Sequence, residues 1–263
     1  MVGRIESLSN DKVRRVQALL RSTRRRHREG LLVAEGVRLV REAVVAELPL
    51  TWCFYTADFA ATAVGGALVE RIAMAGEGAL WEVTPEVLAA LTDTETPQGV
   101  VVVMPTPVLP APDAPAVTLI LDGVRDPGNL GTILRTAWAA GVSQVLLPPG
   151  AVDPTNPKVV RAGMGAHFHV PIRRCGWDEI CAEVAGASVW LAAADGATLY
   201  DAVDWRGRVA LIMGGEAEGA GPEARALAGS RRVMIPMAPG VESLNAAVAT
   251  AILLFEMARQ RRH

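Results

Sequence analysis

The alternation of apolar and polar positions divides the chain into two regions, and the first spans residues 1–104. A helix is predicted to begin at Ser9 or Asn10, with Val13, Val16 and Leu20 forming a narrow apolar stripe. Short apolar, β-branched runs predict strands, and amphipathic stretches predict helices between them. The predicted strands cover 31–34, 52–55, 80–83 and 100–103, and the predicted helices cover 37–46, 68–75 and 85–91. This region is therefore a small α/β domain.

The second region, 116–263, follows a segment with five prolines in eleven residues, 105–115, which predicts an extended and semi-rigid linker. Strand and helix patterns then alternate along the chain. The strands are predicted at 117–121, 142–147, 170–172, 189–193, 209–213 and 233–235, and the helices at 129–140, 177–184, 222–228 and the C-terminal stretch. This alternation predicts an α/β fold with a mostly parallel sheet, whose ligands lie at the carboxyl ends of its strands.

Three loops that leave predicted strand ends have unusual compositions. The loop 122–131 carries glycines and leads into a helix on which Asn129 and Arg135 face one pocket. The loop 212–221 places four glycines around two glutamates, and the turn 241–245 puts Ser243 where an N-cap is expected and Asn245 in the first helical turn. Each loop alone also fits a tight turn or a capped helix without a ligand. Together at one sheet edge they favour a binding site.

Composition excludes several other classes of protein. The chain has no G-x-G-x-x-G spacing and no Walker lysine, which argues against the common dinucleotide and nucleoside triphosphate sites. Cys53, Cys175 and Cys181 lack metal-ligand spacing, so we expect packing residues and no metal site. No apolar run has the length of a signal peptide or a membrane span, and we expect a cytoplasmic protein.

Charge is distributed unevenly although the net charge is only −2. Residues 1–30 hold nine Lys or Arg residues against three acidic residues, which indicates a polyanionic partner, nucleic acid before membrane. A solvated helix end is the alternative. The candidate RNA-contacting residues are Arg14, Arg15, Arg24, Arg25, Arg26 and Arg28.

Three ordered motifs closely resemble those of the SpoU/TrmH class of RNA 2′-O-ribose methyltransferases, which belongs to the SPOUT superfamily. They are Asp-Pro-Gly-Asn-Leu-Gly at 126–131 with Arg-Thr-Ala at 135–137, Gly-Gly-Glu-Ala-Glu-Gly at 214–219, and Ile-Pro-Met at 235–237 with Glu-Ser-Leu-Asn at 242–245. The stretches 32–40 and 96–100 resemble the ribosomal-protein-like RNA-binding domain that often precedes the catalytic domain. The resemblance therefore covers nearly the whole chain.

The resemblance implies a Rossmann-like parallel sheet that ends in a deep trefoil knot. It also implies S-adenosyl-L-methionine as cofactor, a homodimer formed through the C-terminal helix, and a structured RNA substrate, ribosomal RNA before transfer RNA. The cofactor-binding residues implied are Gly214, Gly215, Ile235, Met237 and Leu244.

The resemblance also assigns roles around the reacting hydroxyl. Arg135 contacts and activates the ribose 2′-hydroxyl, Asn129 holds Arg135, and Glu216, Ser243 and Asn245 orient both substrates. An arginine is too weak an acid to serve as a general base at neutral pH, so we expect Arg135 to stabilise the developing alkoxide and the adjacent phosphate. A non-catalytic RNA-binding protein and a nucleotide-binding oxidoreductase are the competing hypotheses.

Overall fold

The structure is a computed structural model that describes residues 2–76, 79–215 and 219–262. The chain forms two compact units. The first contains the chain up to Pro107 together with Thr155–Phe168, and the second contains Val108–Pro154 and the chain from His169 onward. The segment Thr155–Phe168, which the sequence pattern assigns to the second region, thus packs within the first unit.

The first unit is built on a five-stranded mixed sheet in the order β1-β4-β3-β5-β2, in which β5 pairs antiparallel to both of its neighbours. The strands are β1 (Gly3–Ile5), β2 (Leu31–Glu35), β3 (Trp52–Thr56), β4 (Ala79–Val83) and β5 (Val100–Pro105). The helices are α1 (Asp11–Arg21), α2 (Thr23–Glu29), α3 (Val37–Val45), α4 (Ala57–Ala61), α5 (Ala63–Met74), α6 (Pro85–Ala90) and, from the returning segment, α8 (Pro157–Gly163), which precedes a 3-10 turn (Ala166–Phe168).

Strand β5 explains why this sheet is covered on both faces. Side chains alternate across a strand, so Val100 and Val102 join one apolar cluster while Val101 and Val103 join the other. The first cluster contains residues of α3 and α5, and the second contains residues of α1 and α6. Phe168 of the returning segment is buried in the first cluster, so this segment completes a core that 1–107 alone leaves open.

The second unit contains a seven-stranded sheet in the order β10-β12-β9-β11-β6-β7-β8, and every pairing is parallel. Its strands are β6 (Val117–Asp122), β7 (Gln144–Leu147), β8 (Ile172–Arg174), β9 (Ser188–Ala192), β10 (Thr198–Leu199), β11 (Val209–Gly214) and β12 (Arg232–Met234). Its helices are α7 (Pro127–Ala140), α9 (Trp177–Glu183), α10 (Pro222–Ala228) and α11 (Ala246–Arg261). The predicted parallel α/β sheet is confirmed.

Helix α11 differs from its prediction in two ways. Its N-cap is Asn245, whose side-chain oxygen accepts from Ala247 N and Val248 N, so the prediction of Ser243 as N-cap is wrong. The spacing of Leu244, Val248, Ile252 and Phe255 in the sequence predicts one apolar stripe on this helix. Val248 and Phe255 of this stripe are 50% and 47% exposed, whereas the residues that pack inward lie on another side of the helix. Among the described residues, no helix combines the length and the apolar character needed to cross a bilayer.

Candidate functional site

A cavity of about 630 Å³ opens at the carboxyl ends of β9, β11 and β12, within the second unit. Ligand pockets in proteins typically measure roughly 300–1,000 Å³, so this cavity has room for a cofactor-sized molecule. Its wall includes all five residues predicted to bind cofactor, together with Ser243 and Asn245. These residues are Gly214, Gly215, Ile235, Met237, Ser243, Leu244 and Asn245. The location follows the general rule for parallel sheets.

The wall on the β11 side is main chain packed against main chain. Gly215 and Gly219 exchange two backbone hydrogen bonds of 3.2 Å, which join the described residues 214–215 and 219–221; we call these described residues the glycine loop. A Cβ atom added at Gly214 lies 2.5 Å from Ala220 N, and one added at Gly215 lies 2.2 Å from Gly123 O. Only glycine permits this close approach, which explains the Gly-Gly pair at this strand end.

The rest of the cavity lining is largely apolar and includes two charged residues. Leu191, Met213 and Val233 come from three neighbouring strands, and Leu244 and Leu253 come from the turn and α11. An aspartate and an arginine, Asp195 and Arg225, also line the cavity. The site therefore offers apolar surface for a flat ring together with side chains of both charge signs.

The first and third predicted loops meet at the start of α7 and α11. Asn245 Nδ2 donates a 3.0 Å hydrogen bond to Asn129 Oδ1 across 116 residues of sequence. The side-chain oxygen of Asn245 is already committed to two backbone N–H groups of α11, so its amide nitrogen must face Asn129. Asp126 caps α7 by accepting from Asn129 N at 2.7 Å, which fixes the backbone of Asn129 as well.

Two of the predicted catalytic residues, Asn129 and Arg135, are not among the residues that line the cavity. Arg135 lies on α7 less than two turns after Asn129, and its side chain is exposed. Neither Arg135 nor Asn129 lines the cavity, so both belong to its surroundings and not to its wall. Glu216 lies outside the described residues.

The six N-terminal arginines predicted to contact RNA lie in three different environments, and Arg26 is the one that is buried. Its side chain is buried, and its guanidinium donates to Thr155 Oγ1 at 3.1 Å, Leu19 O at 2.8 Å and Thr23 Oγ1 at 2.9 Å. These protein contacts give Arg26 a structural role within the first unit, tying the returning segment to α1 and α2. Because its side chain is buried, Arg26 is no longer among the residues that we propose to contact RNA.

Two further arginines share one acidic partner. Arg15 Nε and Arg25 Nε each lie 2.6 Å from a carboxylate oxygen of Glu29. Burial acts to raise the pKa of Glu29, but the hydrogen bonds and charges of the two arginines outweigh it and lower that pKa. Arg14, Arg24 and Arg28 remain exposed on α1 and α2. The predicted basic surface is thus smaller than the sequence count indicates.

The described residues hold no group of three or more His, Cys, Asp or Glu side chains arranged to bind a metal ion. Cys53 and Cys175 are buried, and burial raises the pKa of the Cys53 thiol to about 12. Both behave as the expected packing residues, because a thiol that stays protonated is a poor nucleophile and ligand. Cys181 is exposed, so for this residue the packing prediction is wrong.

Three charged residues at the cavity or behind its wall, Asp122, Asp195 and Arg225, are absent from the residues predicted from the sequence. Asp122 ends β6 and is buried, while Asp195 and Arg225 line the cavity. A charged residue at the end of a buried strand was a usable signal for Asp122, whereas Asp195 lies three residues beyond the end of β9. No local pattern marks Arg225, which lies on α10 and reaches the cavity only through the fold.

Comparison with known proteins agrees with this geometry. Residues 116–255 match the model of the SpoU rRNA Methylase family, and residues 10–102 match the MRM3-like substrate binding domain. The mitochondrial rRNA methyltransferase 3 of Mus musculus is 33% identical over 94% of this chain and 72% of its own length. The 23S rRNA (guanosine(2553)-2′-O)-methyltransferase RlmP of Bacillus subtilis is 39% identical over 65% of this chain and 69% of its own length.

A solved structure extends the similarity to both units. The AdoMet-bound rRNA methyltransferase from Sinorhizobium meliloti superposes with a TM-score of 0.86 at 32% identity, and 98% of each chain is covered. The family model covers more than half of this chain, and it spans the loops 122–131, 212–221 and 241–245, of which the second and third contribute residues to the cavity wall. The chain belongs to the SpoU rRNA methylase family.

Proposed function

We propose that this protein is an S-adenosyl-L-methionine-dependent RNA 2′-O-ribose methyltransferase that acts on ribosomal RNA. The observation that carries the proposal is the glycine-walled cavity, whose edge residue Asn245 is hydrogen-bonded to Asn129 on the helix that bears Arg135. Relatives named as rRNA 2′-O-methyltransferases and an AdoMet-bound neighbour support the same reaction and substrate class.

The cavity residues fit S-adenosyl-L-methionine. Its adenine ring needs an apolar slot with main-chain polar atoms at the edge, which the strand ends and Leu244 offer beside Gly214 and Gly215. Its methionyl tail carries both an ammonium and a carboxylate, and Asp195 and Arg225 carry the complementary charges. We assign Ile235 and Met237 to the same cofactor-binding wall. When bound, the cofactor supplies a methyl group that its sulfonium already activates.

The remaining work of the protein is to hold the ribose hydroxyl in line and to stabilise its negative charge. Arg135 is exposed to solvent, where an RNA strand can reach it, and its planar guanidinium presents several N–H donors. We assign Arg135 to the developing 2′-alkoxide and the neighbouring phosphate, where a planar double donor is most effective. The proton then leaves to phosphate or water, since no role as a base suits an arginine.

Asn129 and Asn245 serve Arg135 by fixing the start of its helix relative to the cavity. Their direct hydrogen bond joins the two helices that begin at the site. A misplacement of about 1 Å can cost roughly 100-fold in rate in such reactions, so this bond has catalytic value without touching the methyl group. Ser243 lines the cavity beside Asn245, and we assign it to substrate orientation together with Glu216.

The first unit is proposed to bind the RNA before methylation. Arg14, Arg24 and Arg28 are exposed on α1 and α2, and they supply the positive charge that RNA phosphates require. Three contacts to a single strand predict that log affinity falls with log salt at a slope of about −2. Replacing all three by glutamine should remove most of that slope, while substitution of the buried Arg26 should lower thermal stability.

Several finer features of the family are also proposed for this chain. The chain around 235–245 is proposed to form a trefoil knot, and the protein is proposed to be cytoplasmic. The proposed division of the chain is an RNA-binding domain (1–104), a linker (105–115) and a methyltransferase domain (116–263). A homodimer is proposed through α11, because Val248 and Phe255 form an exposed apolar stripe at a spacing of seven residues.

Methyl transfer from radiolabelled S-adenosyl-L-methionine to ribosomal RNA and to transfer RNA tests the proposal directly. Label at a ribose 2′-oxygen of ribosomal RNA supports it, and label only in transfer RNA refutes the substrate assignment. RNA binding without turnover indicates a non-catalytic binding protein. Calorimetric titration with NAD provides the oxidoreductase control. Arg135→Lys keeps the charge but removes the planar fork, and a near-normal single-turnover rate in this variant contradicts the role assigned to Arg135.

A further inference from the structure

Asp122 is a buried carboxylate at the last position of β6, directly opposite Gly214 of β11 in the sheet register. Its Oδ2 accepts a 2.6 Å hydrogen bond from the backbone N–H of Gly221, 99 residues later in the sequence. A bond this short between a carboxylate and an N–H group belongs to the strong, charge-assisted class. Asp122 does not line the cavity, whereas the loop that it holds does.

The loop held by Asp122 is the glycine loop that begins at the end of β11. Its two ends are joined by the Gly215–Gly219 backbone bonds, and Arg225 Nε donates to Ala220 O at 2.9 Å on its far side. Gly221 lies between these contacts and α10, where it is the N-cap residue and has no side chain to cap the helix. The Asp122 carboxylate therefore fixes the one point at which the cavity wall turns into α10.

A purely structural role explains this residue poorly. The five residues before Asp122 are buried in the core, and a buried carboxylate costs solvation free energy that an apolar side chain at the same place does not. The Asp122 carboxylate accepts from the backbone N–H of Gly221, and no neighbouring side chain in the described part of the chain caps the helix that begins there. The arrangement makes sense if the position of the loop matters more than the stability that an apolar residue adds.

We propose that Asp122 is a positioning residue for cofactor binding, which holds the glycine loop in the conformation that receives S-adenosyl-L-methionine. It acts through Gly221 and the loop and does not touch the cofactor. This inference rests on the proposed function, because it presumes that the cavity binds that cofactor.

Calorimetric titration of the full-length protein with S-adenosyl-L-methionine, in the absence of RNA, tests the inference. Asp122→Ala removes the acceptor, and we expect its dissociation constant to rise about tenfold, as the loss of one charge-assisted hydrogen bond predicts. Asp122→Asn keeps an oxygen acceptor at the same place and should stay within about threefold of the parent protein. In turnover assays the KM for cofactor should rise with little change in the KM for RNA.

Thr118→Val provides the matched control. Thr118 is buried on the same strand, and its hydroxyl accepts a 3.2 Å hydrogen bond from Gln144 away from the cavity. This variant should lose thermal stability without losing cofactor affinity. Asp122→Ser, whose hydroxyl is too short to reach Gly221, replaces the alanine variant if that variant does not fold, and the same loss of affinity is expected.

The outcomes distinguish a failure of the proposed function from a failure of the positioning role of Asp122. A parent protein that binds no S-adenosyl-L-methionine overturns the proposed function and this inference with it. A parent protein that binds, with Asp122→Ala or Asp122→Ser binding equally well, overturns the positioning role alone. A loss of affinity in Thr118→Val as large as that in Asp122→Ala also overturns it, because general destabilisation then explains both.

Discussion

Asn245 performs two tasks that point substitutions can separate. Its side-chain oxygen caps α11 through Ala247 N at 2.9 Å and Val248 N at 3.3 Å, while its amide nitrogen bridges to Asn129 at 3.0 Å. Serine is as good an N-cap as asparagine, but its side chain is one group shorter and cannot reach Asn129. Asn245→Ser therefore keeps the cap and removes the bridge, whereas Asn245→Ala removes both.

The expected losses of stability follow from these contacts. Loss of an N-cap costs about 0.5–2 kcal/mol. The bridge lies in an exposed setting, and its loss costs about 0.5–1 kcal/mol, at the lower end for neutral hydrogen bonds. The free energy of unfolding should thus fall by about 0.5–1 kcal/mol in Asn245→Ser and by about 1–3 kcal/mol in Asn245→Ala. Each kcal/mol corresponds to about 2–4 °C in Tm for a chain near this size.

Activity should follow a different order from stability. Both variants lose the bridge that fixes Asn129, so we expect the same fall in the single-turnover methylation rate, about tenfold or more. Urea unfolding and single-turnover assays at saturating cofactor measure the two quantities separately. If the rates rank with stability, so that Asn245→Ser is nearly as active as the parent protein, the bridge has no catalytic value and the reasoning fails. Asn129→Ala should reproduce the rate loss without the capping loss.

Three further predictions concern the cavity, the C-terminal helix and the exposed stripe. Gly214→Ala places a methyl group 2.5 Å from backbone of the glycine loop, so calorimetry should show weakened cofactor binding and unfolding should show a loss of about 1–3 kcal/mol. Hydrogen bonds from Arg259 and Gln260 lower the pKa of Glu256 from 4.5 to about 2. The ionised Glu256 therefore stabilises the fold fully above pH 4.5, and this stabilisation is lost as the pH falls toward 2. The corresponding fall in Tm should be absent from the pH profile of Glu256→Gln. Light scattering should show that Phe255→Glu converts the proposed dimer into a monomer. Val64→Glu, at an exposed site of α5, is the control and should remain dimeric. A parent protein that is already monomeric contradicts the dimer proposal.

The parallel sheet was predictable because its strands are buried and β-branched, and because glycines and prolines mark their ends. The carboxyl-end location of the cavity followed from the same alternation. The contacts that define the site were not predictable, since the bond between Asn129 and Asn245 joins residues 116 positions apart. Asp122 illustrates the same limit, because its partner Gly221 lies 99 positions away.

Two errors show what periodicity leaves undetermined. The apolar stripe of α11 exists, but a stripe does not reveal what covers it. The buried side of this helix carries Leu253, Leu254 and Met257 together with smaller residues, while Phe255 is exposed. Arg26 belongs to a run of cationic residues in the sequence, and its burial depends on contacts that the run does not reveal, among them one with Thr155, 129 residues later.

The return of Thr155–Phe168 to the first unit has a consequence for how the chain is made. A ribosome delivers the N-terminal residues first, yet Val160 and Phe168 must emerge before the apolar cluster around β5 can close. Nascent chains arrested shortly after residue 107 should therefore remain sensitive to protease, and resistance should appear only once residue 168 has left the exit tunnel. A gene fragment that ends at the proline-rich segment should yield an incompletely packed product that aggregates. Adding a peptide of residues 155–168 in trans should restore its packing.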